Sequence, residues 1–251
     1  MHPPRAPTPT ERNRLLLALP HADYRALLPD LESVILEHGA VLFEARERLT
    51  HVFFPQRCVV SMLAAAGDGP AVEVGLVGNE GMVGLSAFLG ATTSTTQAVL
   101  QIPDGAWRMD VRAFGRAVAR GTALRQAMQR YTQTVISHVS QVLACNQQHN
   151  VSRRCARWLL MAHDRVGADR FTLTQDFLGQ MLGAQRPTVS LTAGHLQGLG
   201  LIRYSRGIIT VTDRAGLEDA ACTCYDVMEE DYARAFATDG KAPPPSGSRR
   251  T

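Results

Sequence analysis

Between Thr174 and Val211 lie side chains suited to gripping a nucleic acid rather than to making or breaking bonds. Pro187 fits the first turn of a helix, where its missing N–H leaves nothing unpaired. In that helix Val189, Thr192, Ala193 and Leu196 recur at i, i+3, i+4 and i+7 and form the buried stripe. Arg186, Ser190, Leu191, Gly194 and His195 fall on the opposite, presented face. Upstream, Thr174 is an N-cap for a shorter helix with Phe177, Leu178, Met181 and Leu182 on one apolar face. Gly183 supplies the left-handed residue that ends it, and the chain turns through Ala184 and Gln185. Helix, glycine turn and second helix make a helix-turn-helix, whose second helix lies in the major groove of DNA. Downstream, Ile202-Arg203-Tyr204 and Ile208 to Val211 flank the tip Ser205-Arg206-Gly207, a hairpin wing whose arginine reaches a phosphate.

Other reactive types are scattered. Cys145 and His149 stand at i, i+4, a legal spacing for a metal on one helix face, with His138 two turns earlier. A polar break in a helix seam explains them as well. Cys222 and Cys224 form a C-x-C with no second pair near them in sequence, readable as redox-active or as packing. No metal site and no cofactor is assigned. Catalysis finds no support: there is no G-x-S-x-G, P-loop, H-E-x-x-H or glycine-rich dinucleotide loop. His38 and His51 are too isolated for a cupin-type metal centre.

The elements that must position the helix-turn-helix follow from texture. The chain has 251 residues, 45% hydrophobic and 20% charged, enough for one large or two moderate domains. Five cysteines at irregular spacing fit reduced thiols, and no apolar run can span a bilayer; a cytoplasmic setting is expected. Net charge is only +3, but Arg153, Arg154, Arg157, Arg165, Arg170, Arg186, Arg203 and Arg206 concentrate between Ser152 and Asp213. Such a stretch can follow a phosphate backbone or be a solvated face.

Asn13 caps a short helix stopped by Pro20, and a second helix is expected over Ala22 to Leu28. From Leu31 to about Met109, short β-rich runs alternate with turn signals at Gly39, Pro55, Gly67-Asp68-Gly69-Pro70, Gly78-Asn79 and Pro103-Asp104-Gly105, the pattern of an antiparallel roll. Thr122 to Asn150 is continuously helical. Leu124, Met128, Tyr131, Val135, His138 and Val142 form one seam, with Ala127, Ile136, Val139 and Leu143 beside it. A heptad-like seam of this length most simply meets a copy of itself; a helix buried in its own domain is the alternative. The expected fold class is α+β: a jelly-roll-like β-roll over 13–118, a dimerisation helix over 119–150, a winged helix-turn-helix over 151–236 and a disordered tail over 237–251.

The segments "TQDFLGQMLGAQRPTVS" and "VEVGLVGNEGMVGLSAFLG", with the roll, long helix and wing around them, resemble the cyclic-AMP-receptor/fumarate–nitrate-regulator (Crp/Fnr) family over roughly residues 13–225. The resemblance implies a homodimeric bacterial transcription regulator that binds an inverted repeat in double-stranded DNA and works with RNA polymerase. It places Arg186 at the recognition-helix arginine that suits guanine O6 and N7. Thr174, Gln175 and Thr188 match phosphate-contacting positions, and Gln185 and Ser190 match groove positions. Pro187 stands where the family usually has an acidic base reader and Leu191 where it has a second arginine, so a different operator is implied. Leu191 either meets a thymine methyl or packs. In the sensor roll, Gly78, Glu80 and Gly81 match the family's Gly-Glu segment, while Thr96 and Gln97 stand where an arginine holds the ligand phosphate. Without that arginine, tight cyclic-nucleotide binding is not expected, and Glu80 with its glycines could equally shape a turn. A cyclic-nucleotide or other small-metabolite module with incidental DNA contact is the alternative function. The iron–sulfur members' N-terminal cysteine cluster has no counterpart in residues 1–30, and the effector stays unassigned.

Overall fold

The computed structural model describes residues 12–65, 69 and 71–236; the expected disordered tail and most of the Gly67–Pro70 turn lie outside the described residues. In chain order the elements are α1 (Arg14–Leu17), α2 (His21–Leu27), a 3-10 turn (Leu28–Asp30), β1 (Glu32–Leu36), β2 (Val41–Phe43), β3 (His51–Pro55), β4 (Val59–Ala64), β5 (Val72–Val77), α3 (Leu85–Phe88), β6 (Gln97–Ile102), β7 (Asp104–Asp110), α4 (Val111–Arg120) and α5 (Thr122–Gln148). There follow α6 (Val151–Val166), β8 (Arg170–Thr172), α7 (Gln175–Leu182), α8 (Arg186–Gly198), β9 (Ile202–Ser205), β10 (Ile208–Val211), α9 (Arg214–Ala220) and α10 (Cys224–Phe236).

The N-terminal strands form two antiparallel sheets, β1-β7-β3 and β2-β6-β4-β5. Phe43, Phe53, Val60, Val77, Ala98, Leu100 and Ala106 fill the space between them, as the alternation of apolar residues requires. Pro103-Asp104, expected as a turn, instead carries the chain from one sheet to the other, and β7 begins at once with Asp104 opposite Leu36. Asp110 ends that strand and caps α4 by accepting from the backbone of Arg112 and Ala113 at 2.9 and 3.0 Å.

The long helix runs 27 residues without a break. Its expected dimer seam requires correction. Leu124, Met128 and Tyr131 are buried against the roll and α4, His138 is buried against α10, and Val135 packs on the same core. Val142 is half-buried against the core of the C-terminal half. The reason is α10, which the sequence pattern does not announce. It returns from the winged domain and lies along α5, with His138 Nδ1 and the Tyr232 hydroxyl 2.7 Å apart and Arg130 Nε donating to the Ala235 carbonyl at 3.0 Å. Ile136, Val139 and Leu143, the neighbouring stripe, are 57%, 42% and 65% exposed.

The C-terminal half is not an independent ball on a linker. One continuous core joins Val59, Leu76 and Ile102 of the roll to Trp158, Leu159 and Leu160 of α6 and to Leu178, Val189, Leu196 and Ile209 of the winged part. Trp158 donates from Nε1 to Glu73 on β5 at 3.0 Å, and the Phe177 ring meets His38 edge-on at 4.9 Å.

Candidate nucleic-acid interface

Thr174 caps α7, its hydroxyl accepting from the Phe177 backbone at 3.3 Å. Gly183, at φ +56°, ends that helix. An added Cβ at Gly179 would lie 3.0 Å from the Ala184 carbonyl, so this glycine lets the turn pass close to the first helix. Gln185 is the N-cap of α8, and Pro187 sits in its first turn. Val189, Thr192, Ala193 and Leu196 are buried, while Arg186, Thr188, Ser190, Leu191, Gly194 and His195 face solvent. Leu191 is 76% exposed and makes no core contact.

Three elements converge on the start of α7. The Ser190 hydroxyl donates to Gln175 Oε1 at 3.2 Å, and Arg186 reaches Asp176 at 3.9 Å. On the other side Leu173 N donates to the Gly207 carbonyl at 2.8 Å, and the Tyr204 hydroxyl donates to the Leu173 carbonyl at 3.1 Å. β8, β10 and β9 form the small sheet behind this wing. Its tip residues Arg206 and Gly207 both have positive φ, +50° and +73°, the two-residue turn whose twist matches a hairpin. Ser205 and Arg206 are exposed at that tip. Thr174, Gln175, Gln185, Arg186, Thr188, Ser190, Leu191, Ser205 and Arg206 therefore occupy the two helix starts and the wing tip. Sequence reasoning misses Asp176; its place in the first turn of α7, beside an arginine-led helix, is the signal that could have found it.

The roll borders this surface on one side. A groove between the roll and the helix-turn-helix is lined by Ala71 and Val72 together with Gln175, Asp176, Gln185 and Arg186.

The expected effector residues scatter. Thr96 lines an apolar cavity of roughly 200 Å³ between β5, α3 and α5, together with Met62, Val135, His138 and Tyr232. Among the described residues lining it there is no lysine or arginine. Gln97 instead donates to Glu44 at 2.8 Å on the surface. Glu80 is buried and pairs with Arg165 of α6 at 3.0 Å. Gly78 and Gly81 make room for neighbours: a Cβ there would collide with the Arg165 side chain and with the Tyr131 ring and hydroxyl, respectively. Placing Gly78, Glu80, Gly81 and Gln97 in a ligand pocket is thus corrected; the first three shape a turn that α6 and α5 pack against.

Among the buried groups with displaced acidities, Glu73 and His138 lie where the two halves meet or beside the cavity. Burial pushes the Glu73 carboxyl up to about 7, against donors from Ser61 and Trp158 and the charges of Arg157 and Arg165. Burial, reinforced by Arg165 and Arg157, pulls His138 down to about 3. Its Nε2 has no hydrogen-bond partner among the described residues. The Cys145/His149 and Cys222/Cys224 pairs, far apart in the sequence, meet: their donor atoms lie within 4.8 Å of one another.

Residues 153–220 match the family model of the Crp-like helix-turn-helix domain. FixK2 from Bradyrhizobium japonicum superposes with a TM-score of 0.65 at 15% identity, covering 76% of this chain and 98% of that one. A CRP-family transcriptional regulator from Thermus thermophilus gives 0.63 at 18% identity, over 75% and 96%. No curated protein sequence matches this chain.

Proposed function

Starting from a chain with the Crp/Fnr regulator fold and a Crp-like helix-turn-helix domain, we propose that the protein is a homodimeric, sequence-specific DNA-binding transcription regulator without catalytic activity. The observation that carries this reading is the continuous exposed surface in which the start of α8, the start of α7 and the Arg206 tip are tied together by side-chain and backbone hydrogen bonds. Arg186, Gln185 and Ser190 read base edges, Leu191 offers an apolar contact to a thymine methyl, and Thr174, Gln175, Thr188, Ser205 and Arg206 hold phosphates.

A second copy packs on the exposed stripe Ile136, Val139 and Leu143, spaced i, i+3, i+7 as a coiled-coil seam requires. The two recognition helices then read an inverted repeat with half-sites about one DNA turn, roughly 34 Å, apart. RNA polymerase is the partner at a promoter. No helix among the described residues is long and apolar enough to cross a membrane, and work on DNA places the protein in the cytoplasm. On this reading the duplex docks beside the groove that Gln175, Gln185 and Arg186 share with Ala71 and Val72 of the roll.

The second reading, a small-molecule sensor, is favoured by the cavity beneath α5. An apolar lining without a cation suits a small neutral molecule and does not suit a cyclic phosphate. Calorimetry distinguishes the two: cyclic nucleotides are expected to give no heat of binding. In-vitro selection from random duplexes tests the main reading, since a regulator enriches an inverted repeat.

A further inference from the structure

We propose that Cys145, His149, Cys222 and Cys224 form a four-coordinate Zn²⁺ site that pins the start of α10 to the end of α5. This inference goes beyond the DNA-binding reading and does not rest on it. Cys145 and His149 come from the last turn and C-cap of α5, and their i, i+4 spacing puts both on one face. Cys222 and Cys224 arrive after the wing, just before and at the first residue of α10. Sequence separations of 75 and 77 residues are closed at this one point.

Three features of the site fit zinc. A tetrahedral ion with bonds of about 2.3 Å to sulfur and 2.0–2.1 Å to nitrogen sets neighbouring sulfurs about 3.8 Å apart and sulfur about 3.5 Å from nitrogen. Cys145 Sγ and Cys222 Sγ are 3.5 Å apart, and Cys224 Sγ is 3.6 Å from His149 Nδ1. The four donor atoms together lie within 4.8 Å, and the three thiols are free and buried. Second, Gln141, one turn before Cys145 on α5, donates its amide to Cys224 Sγ at 3.1 Å, the outer-shell hydrogen bond that ligating thiolates attract.

Third, Arg157, whose charge acts on Cys145 and Cys222, supplies the counter-charge. It is 6% exposed, its guanidinium donates only to the thioethers of Met161 and Met228 at 3.1 and 3.6 Å, and its Nε has no partner among the described residues. A buried cation whose hydrogen bonds go to neutral sulfurs is costly. Zinc with three thiolates and a neutral imidazole carries one net negative charge, and Arg157 offsets it. Four protein donors leave no open position, so the site is structural rather than catalytic. Binding releases three thiol protons to solvent, and no oxidant or reductant is needed. The clamp fixes α10 against α5 in the register that lets Tyr232 reach His138.

The test is metal analysis of the untagged, full-length protein purified from zinc-replete cells. One zinc per chain is expected, lost in Cys222→Ser, Cys224→Ser and His149→Ala and retained in Cys58→Ser, whose thiol lies in the roll core. Should a variant fail to fold, the wild-type protein still decides. Stripped of metal, it should take up one Co²⁺ with thiolate-to-cobalt charge transfer and tetrahedral d–d bands, and zinc should shield three thiols from a thiol reagent. Zinc removal should also lower Tm. Metal-free protein that gives no tetrahedral cobalt spectrum would overturn the proposal. So would iron in place of zinc, zinc content unchanged in all three ligand variants, or a Cys145–Cys222 disulfide found by mass spectrometry in freshly purified protein.

Discussion

Arg165 of α6 and Glu80 of the roll form an ion pair at 3.0 Å with both side chains 3% exposed. The Arg165 chain passes over Gly78, where no larger residue fits, and Arg165 also donates to the Met161 carbonyl at 2.8 Å. The Gly-Asn-Glu-Gly turn of the roll is therefore the seat of the first helix of the winged half. Any change in the relation between the two halves has to pass through this contact or break it.

Removing one partner of a buried pair strands the other charge, which costs about 3–5 kcal/mol. Glu80→Gln is expected to lose stability on that scale in urea unfolding, whereas replacing both Glu80 and Arg165 by apolar residues of similar size should recover much of it. Equal losses in the single and double variants would show that the pair contributes no coupling.

Glu73 gives stability a pH dependence opposite to that of most carboxylates. Its folded-state carboxyl is raised to about 7 by burial, above the unfolded value, so the folded chain holds more protons between the two. Its contribution is most favourable below the unfolded value and is lost as pH rises through about 7, by on the order of 1–3 kcal/mol. Because Trp158 donates to this carboxyl, the loss falls on the contact between β5 and α6. Glu73→Gln should flatten the stability profile between about pH 5 and pH 8, as read from Tm against pH; an unchanged slope would clear Glu73 of responsibility.

Much of the C-terminal half is legible in the sequence, because its signals are local. Thr174 caps, Gly183 turns left-handed, and Val189, Thr192, Ala193 and Leu196 turn inward on a 3.6-residue period. What the sequence leaves open depends on which surface meets which. Leu124, Met128 and Tyr131 carry the same apolar period whether a second copy or the roll and α4 cover them, and His138 is covered by α10, whose acidic-rich sequence shows only a modest apolar face. Glu80 likewise looks the same as a ligand group or an ion-pair partner until Arg165 arrives from 85 residues away.

The exposed stripe on α5 and the buried one should respond differently to mutation. Ile136→Glu combined with Leu143→Glu is expected to convert a dimer to a folded monomer, seen by sedimentation with unchanged circular dichroism. Met128→Ala, by contrast, should cost about 2–5 kcal/mol of stability, as large-to-small core changes do, without shifting the dimer equilibrium of the folded chain.

Arg186 is held near Asp176 at 3.9 Å, with both side chains mostly exposed. Such a pair is worth at most about 1 kcal/mol, so the arginine is free to exchange Asp176 for a base. Arg186→Ala should weaken specific binding by about 1–3 kcal/mol and relax selectivity at one base position of each half-site. Asp176→Asn is expected to tighten binding, most visibly at low salt, by removing a carboxylate from beside the proposed phosphate contacts Thr174 and Gln175. These are read from titrations of an operator and a scrambled duplex at fixed ionic strength.

In-vitro selection of random duplex DNA by the purified protein, at a stated salt concentration, tests the central claim most directly. Enrichment of an inverted repeat with half-sites one helical turn apart, lost in Arg186→Ala, is the predicted result. Recovery of no motif from the purified protein, whether assayed alone or with cell extract supplying small molecules, would contradict the assignment of α8 as a recognition helix.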